Sequence, residues 1–183
     1  MTMEVTMEVT MEVRAARAEE WRELRELRLR ALQDPAASVA FVRSYDEEAA
    51  EPDEFWIERA ARNAAGESAY QAVAVDGGRM IGTVVGLLER AGDTDWAGAR
   101  IEHDGVLVVG VYVDAAARGS GLLRRLVDDV LGWAEGLGLE HARLQVHEHN
   151  PRAEAAYRKL GFELTGHSLE IGAGVEREMA RGI

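Results

Sequence analysis

The chain contains no cysteine. Disulfides, thiolate metal sites and a cysteinyl covalent intermediate are therefore excluded, and any group the protein transfers must move without a protein thiol. Also missing is an apolar run approaching the roughly 20 residues that a membrane span requires, and the N-terminus lacks the basic-then-apolar order of a secretion signal. The expectation is a cytoplasmic protein with no membrane partner. Positive charge is scarce too: 21 Lys and Arg stand against 33 Asp and Glu, a formal net charge of −12. Such a field repels phosphate backbones and attracts small cations, so nucleic acid is not expected as a partner.

What is present suits one globular unit, since 183 residues with 47% apolar content bury one full core and fall short of two. The tetrad T-M-E-V occurs three times between Thr2 and Val13, alternating polar and apolar as a half-buried strand does. One copy is enough for a strand. The expected domain is therefore 11–183, with 1–10 a repeated, dispensable extension. Apolar residues at helical spacing run from Ala18 to Leu32 and again from Pro52 to Ala64. Between Asp46 and Glu58 lie seven acidic side chains and no basic one, which reads as a solvated helix start, with an acidic lining for a cationic substrate as the alternative. "YQAVAVD" and "RMIGTVVGLLER" flank Gly77-Gly78 as a hairpin does. After a polar loop, "VLVVGVYV" (106–113) has the continuous apolar character of a central strand. A helix from Gly119 to Gly136, a strand 142–146, a helix 150–161 and two closing strands complete the order β-α-α-β-β-β-α-β-α-β-β.

The stretch "RGSGLLRR" (118–125) concentrates three arginines and two glycines in an acidic chain. It joins the end of a buried strand to the start of a helix, whose first-turn N–H groups have no intrahelical partners. Gly119 and Gly121 carry no Cβ to hold an anion away, and Arg118, Arg124 and Arg125 can add charge-assisted hydrogen bonds, so the spacing predicts a phosphate site. A P-loop is excluded because no lysine stands where G-x-x-x-x-G-K-[ST] requires one. A dinucleotide fingerprint starting at Gly119 fails at Arg124, where its third glycine should be.

Arg118-Gly119-Ser120-Gly121-Leu122-Leu123, preceded by "VYVDAAA", resembles the R/Q-x-x-G-x-G/A signature of the GNAT superfamily of acetyl-CoA-dependent N-acetyltransferases, with Leu123 where that family prefers Gly or Ala. "NPRAEAAYRKLGF" (150–162) is similar to a second family segment, N-x-x-A-x-x-x-Y-x-x-x-G-F. Its residues fit a helix independently, with Asn150 as N-cap, Pro151 in the first turn and Gly161 at the C-terminus. The resemblance implies a GNAT fold: an α/β (α+β) domain whose mixed, mostly antiparallel seven-stranded sheet has helices on both faces. It further implies acetyl-CoA as cosubstrate, gripped by residues 118–123, by strand backbone at Val111, Tyr112 and Val113, and by Asn150. Tyr157 is implied as acid for the departing thiolate, and a small-molecule or peptide amine as acceptor. No metal is expected. A general base is sought among strand-end residues: Glu89 and Glu102 first, then His103, Asp104, His147, Glu148 and His149. A GNAT-fold module that binds acyl-CoA without turnover is the alternative function, and a homodimer through the closing strands is compatible with the resemblance.

Overall fold

The last T-M-E-V copy runs into strand β1 (Glu12–Ala15), which pairs antiparallel with β2 (Ala69–Asp76) in the register Val13↔Ala74. The structure, a computed structural model, describes residues 11–172 and 174–183. The extension 1–10 lies outside the described residues.

Helix α1 (Trp21–Ala31) follows a 3-10 turn and buries Leu24, Leu27 and Ala31, the three- and four-residue spacing of one helix face. Ser44 and Glu47 form a reciprocal capping box that opens a short helix, α2 (Tyr45–Ala49). Helix α3 (Asp53–Ala65) starts after Pro52, carries Asp53 and Glu54 in its first turn and stops at Gly66. Strand β3 (Arg79–Glu89) returns from β2 through the Gly77-Gly78 turn, and β4 (Gly105–Val113) pairs antiparallel with β3. Helix α4 (Leu122–Gly136) then carries the chain across to β5 (His141–His147), parallel to β4. Helix α5 (Pro151–Lys159) and the hairpin of β6 (Glu163–Ile171) and β7 (Gly174–Gly182) complete a single seven-stranded sheet in the order β1-β2-β3-β4-β5-β7-β6.

Helices cover both faces, as expected. On one, Leu122, Leu126, Val127, Val130 and Ala134 of α4 pack over Ala72, Val84, Val106 and Leu144, and Tyr157, Leu160 and Phe162 join them. On the other, Leu24, Leu27 and Ala60 of α1 and α3 pack over Val73, Met80 and Tyr112. Each fully buried aliphatic side chain contributes about 1.5–3 kcal/mol, so the two clusters hold the sheet rigid between them.

That rigid frame opens between its two central strands. β4 and β5 are laddered at only three positions, Val106↔Ala142, Leu107↔Arg143 and Val108↔Leu144. Beyond them β4 bulges: Val109 pairs with Val85 and Tyr112 with Thr83, so two residues, Gly110 and Val111, oppose Val84 alone. Gly110 supplies the φ of +61° that this geometry needs. The bulge turns β4 away, and Val109–Val113 part from Gln145–His147.

Candidate active site

The parted strands open a cavity of about 1050 Å³. One end is the turn before α4. Gly119 and Gly121 have φ of +77° and +83°, the left-handed region, and a Cβ on either would meet nothing within 4 Å. Glycine is required here by backbone angle, not by crowding. The first helical bond runs from the Arg125 N–H to the Gly121 carbonyl, so the N–H groups of the preceding residues point out of the helix mouth. α4 therefore begins at Leu122 instead of Gly119, and residues 119–121 form the turn that leads into it. Ser120 sits at its exposed tip, its hydroxyl donating to the Ala117 carbonyl at 2.6 Å. Leu123 lines the cavity while leaning on the α4-side core.

The three arginines also tie the turn to its surroundings. Arg118 donates from Nε to the Val113 carbonyl at 2.8 Å and is ion-paired with Asp34 in the segment after α1. Arg124 donates to the Lys159 carbonyl at the end of α5 at 2.6 Å, and Arg125 to the Met11 carbonyl at 3.2 Å. They are clamps that fix the turn against its surroundings. Arg118, Arg124, Arg152 and Lys159 all line the cavity at this end, which gives the helix mouth a basic rim.

Asn150 accepts from the Ala153 N–H at 3.2 Å, capping α5, and donates to the Val39 carbonyl at 3.4 Å, so its amide ties α5 to the segment after α1 at the cavity wall. Two turns further on, Tyr157 is buried, its ring edge-on to Phe162 with centroids 6.3 Å apart. Burial, and then the negative charge of Glu176, hold its phenol well above the usual tyrosine range, so it stays protonated. Glu176, on β7, and His147, its partner across the β5–β7 ladder, line the same cavity. Burial raises the Glu176 carboxyl above its ordinary value, partly offset by His147. The His147 Nδ1 accepts from the His149 N–H at 3.1 Å, and its buried Nε2 has no partner among the described residues.

The profile of the acetyltransferase (GNAT) family matches residues 18–162. The chain belongs to the GNAT family. No curated protein sequence matches it significantly. Among solved structures it is similar to a GNAT-family acetyltransferase from Streptococcus pneumoniae (20% identity, TM-score 0.71, covering 95% of this chain and 100% of that one). It is similar also to the PaiA N-acetyltransferase of Thermoplasma acidophilum in complex with coenzyme A (15%, 0.68, 95% and 99%). A third is the aminoglycoside N-acetyltransferase AAC(6')-Iy in complex with CoA (17%, 0.69, 92% and 97%). An open helix mouth, a basic rim and a strand edge freed by the β4 bulge fit the elongated diphosphate of a coenzyme A thioester.

Within this GNAT cavity the expected ligand-binding residues Val111, Tyr112, Val113, Arg118, Gly119, Gly121, Leu122, Leu123, Asn150 and Tyr157 stand on the wall, and Ser120 does not. Glu89 and Glu102, the expected bases, do not. Glu89 is buried in a bidentate pair with Arg143 (2.6 and 2.7 Å), and that guanidinium also holds Asp95 and Glu178. Glu102 is exposed on the loop before β4. Glu176 lines the cavity, as does His147, one of the other base candidates read from the sequence. A period-two reading of "VEREMAR" puts Glu176 and Glu178 on one face, yet only the register His147↔Glu176 against Gln145↔Glu178 reveals which carboxylate reaches the gap.

The acidic run 46–58 is likewise not uniformly solvated. Glu48 is 1% exposed, held by Arg28 through Nη2 at 2.6 Å and Nε at 3.0 Å and by Arg59 at 3.2 Å. The alternative expectation, an acidic lining for a cationic substrate, is not met either. The cavity half facing α1 and α3 is lined by Arg28, Arg43, Arg59 and Arg62, with Glu48 between two of them.

Proposed function

We propose that the protein is an N-acetyltransferase that moves an acetyl group from acetyl-CoA to a primary amine by direct attack while both are bound. The observation that carries this reading is the parting of β4 from β5. It makes one passage from the N–H groups at the mouth of α4, past Tyr157, to Glu176 and the arginine-lined half, so donor and acceptor can meet without a covalent relay.

The chain's own groups divide the work. N–H groups of 119–123 receive the diphosphate, and the bulged backbone near Val111 offers donors to the thioester carbonyl. Glu176 takes the proton of the attacking amine, because its raised pKa makes it a stronger base than an exposed carboxylate. The amine nitrogen bonds to the carbonyl carbon, the carbon–sulfur bond breaks, and the electron pair leaves on sulfur. Tyr157, held protonated, donates a hydrogen bond to that sulfur. Since a thiol titrates near 8.5, far below this phenol, the donated hydrogen bond, not complete proton transfer, is the role its environment favours.

Thermal unfolding in the presence of acetyl-CoA, CoA, NAD or ATP separates ligand classes, and thiol release with an amine panel separates an enzyme from a binding module. The reading predicts stabilisation by the two CoA species alone and amine-dependent thiol release. Stabilisation without release from any amine would leave the binding module in its place.

A further inference from the structure

The acceptor half of the cavity carries a charge opposite to that of the chain. Overall the protein bears a formal −12, yet four guanidiniums, those of Arg28, Arg43, Arg59 and Arg62, line this half. Arg43 is paired outward with Glu51. Glu48 is shared by Arg28, which grips it with two nitrogens, and by Arg59, which touches it with one. One buried carboxylate thus faces two guanidiniums, and a buried charge without full compensation is unfavourable. Burial and then the repulsion of Arg28 hold Arg59 below the ordinary arginine range, the direction expected of a guanidinium short of negative partners.

A second observation comes from the same helix. Asn63 is 3% exposed and lines the cavity. Its Nδ2 donates to Gln71 Oε1 at 3.0 Å, Gln71 Nε2 donates to Thr83 Oγ1 at 3.0 Å, and the Thr83 hydroxyl donates to the Ala72 carbonyl at 2.9 Å. This chain fixes which way the amide faces, and it leaves Asn63 Oδ1 buried with no partner among the described residues. Arg59, Arg62 and Asn63 are spaced three and four apart, so they share one side of α3. Two planar cations on one helix face, held in place beside the fixed Asn63 amide, make a recognition site for an anionic ligand.

We infer that the acceptor amine carries a carboxylate, seated by Arg59 and Arg62 on the side of α3 that faces the cavity. The substrate class is the amino acids and their N-terminally free short peptides. Polycations, the class named for the aminoglycoside enzyme above, meet the wrong sign of charge here. This inference rests on the acetyl-transfer reading for its kinetic test and stands apart from it for its binding test.

Thiol release from acetyl-CoA is measured with matched trios of L-amino acid, its amide and the decarboxylated amine. The acid is expected to exceed both analogues in kcat/KM on the order of ten- to a hundredfold, the range of a charge-assisted hydrogen bond. Arg62→Gln, at an exposed position where folding is not at stake, is expected to raise KM for the acid and abolish the preference without changing the affinity for acetyl-CoA. Calorimetry with N-acetyl amino acids against their amides gives the same comparison without turnover. Equal use of acid and amide, preference for the decarboxylated amine, or a preference that survives Arg62→Gln overturns the carboxylate seat while leaving acetyl transfer intact. Selective, Arg62-dependent binding of the acid with no thiol release from any amine does the reverse.

Discussion

Replacing Glu176 with glutamine removes a proton acceptor and leaves its shape. The carboxyl sits on β7 beside His147 at the gap between strands, half-buried, and burial raises its pKa. Two opposite effects follow from that one cause. As a general base it is worth about 10²–10⁴-fold, so Glu176→Gln should lower kcat/KM by about that factor, equivalent to about 3–5.5 kcal/mol of barrier. Because its folded pKa lies above the unfolded one, the carboxyl's contribution to stability is fully present below the ordinary carboxylate range. It is lost as pH rises through the raised value. A neutral glutamine does not suffer this loss. The variant should therefore match the parent's melting temperature in acid and exceed it at neutral pH, while losing activity there. Thiol release and calorimetric unfolding, each followed from pH 4 to 9, test both arms. The parent's activity should rise through an acid limb set above the usual glutamate range, and the variant should lack that limb. An unchanged kcat/KM with the limb intact refutes the assignment, and a variant less stable at neutral pH refutes the burial argument behind it.

Three further outcomes are expected. Tyr157→Phe keeps the ring packed on Phe162 and should lower kcat at least tenfold at unchanged acetyl-CoA affinity, read by steady-state kinetics beside a binding titration. Gly121→Ala forces a side chain onto a φ of +83° with open space around it; it should destabilise by about 1–2 kcal/mol in denaturant unfolding and weaken CoA binding, because the helix mouth must shift. Glu48→Ala strands two guanidiniums around a site that is 1% exposed and should destabilise by about 3–5 kcal/mol, seen as a lower urea midpoint at unchanged slope.

The elements that sequence periodicity carries, the helix stripes of α1 and α4 and the β2–β3 hairpin around Gly77-Gly78, appear where the spacing places them. Helix α2 escapes because five residues contain too little of a period to read, although the Ser44–Glu47 capping box is visible afterwards. The turn before α4 is legible because two glycines close together ahead of an apolar helix stripe signal backbone in the left-handed region. The roles of charged groups are not, because they depend on long-range partners. Arg118 is claimed by Asp34, Glu89 by Arg143 and Glu48 by Arg28, at separations of 84, 54 and 20 residues. The bulge that opens the cavity is written as Gly110 inside an apolar run, and only its pairing with β3 turns that glycine into a gap.

The most direct test of the account is a crystal structure of the protein with coenzyme A bound. It should place the diphosphate within hydrogen-bond distance of the N–H groups of 119–123 and the thiol between β4 and β5, beside the Tyr157 hydroxyl. Coenzyme A lying elsewhere, or a diphosphate held by side chains with the helix mouth left to solvent, would contradict it.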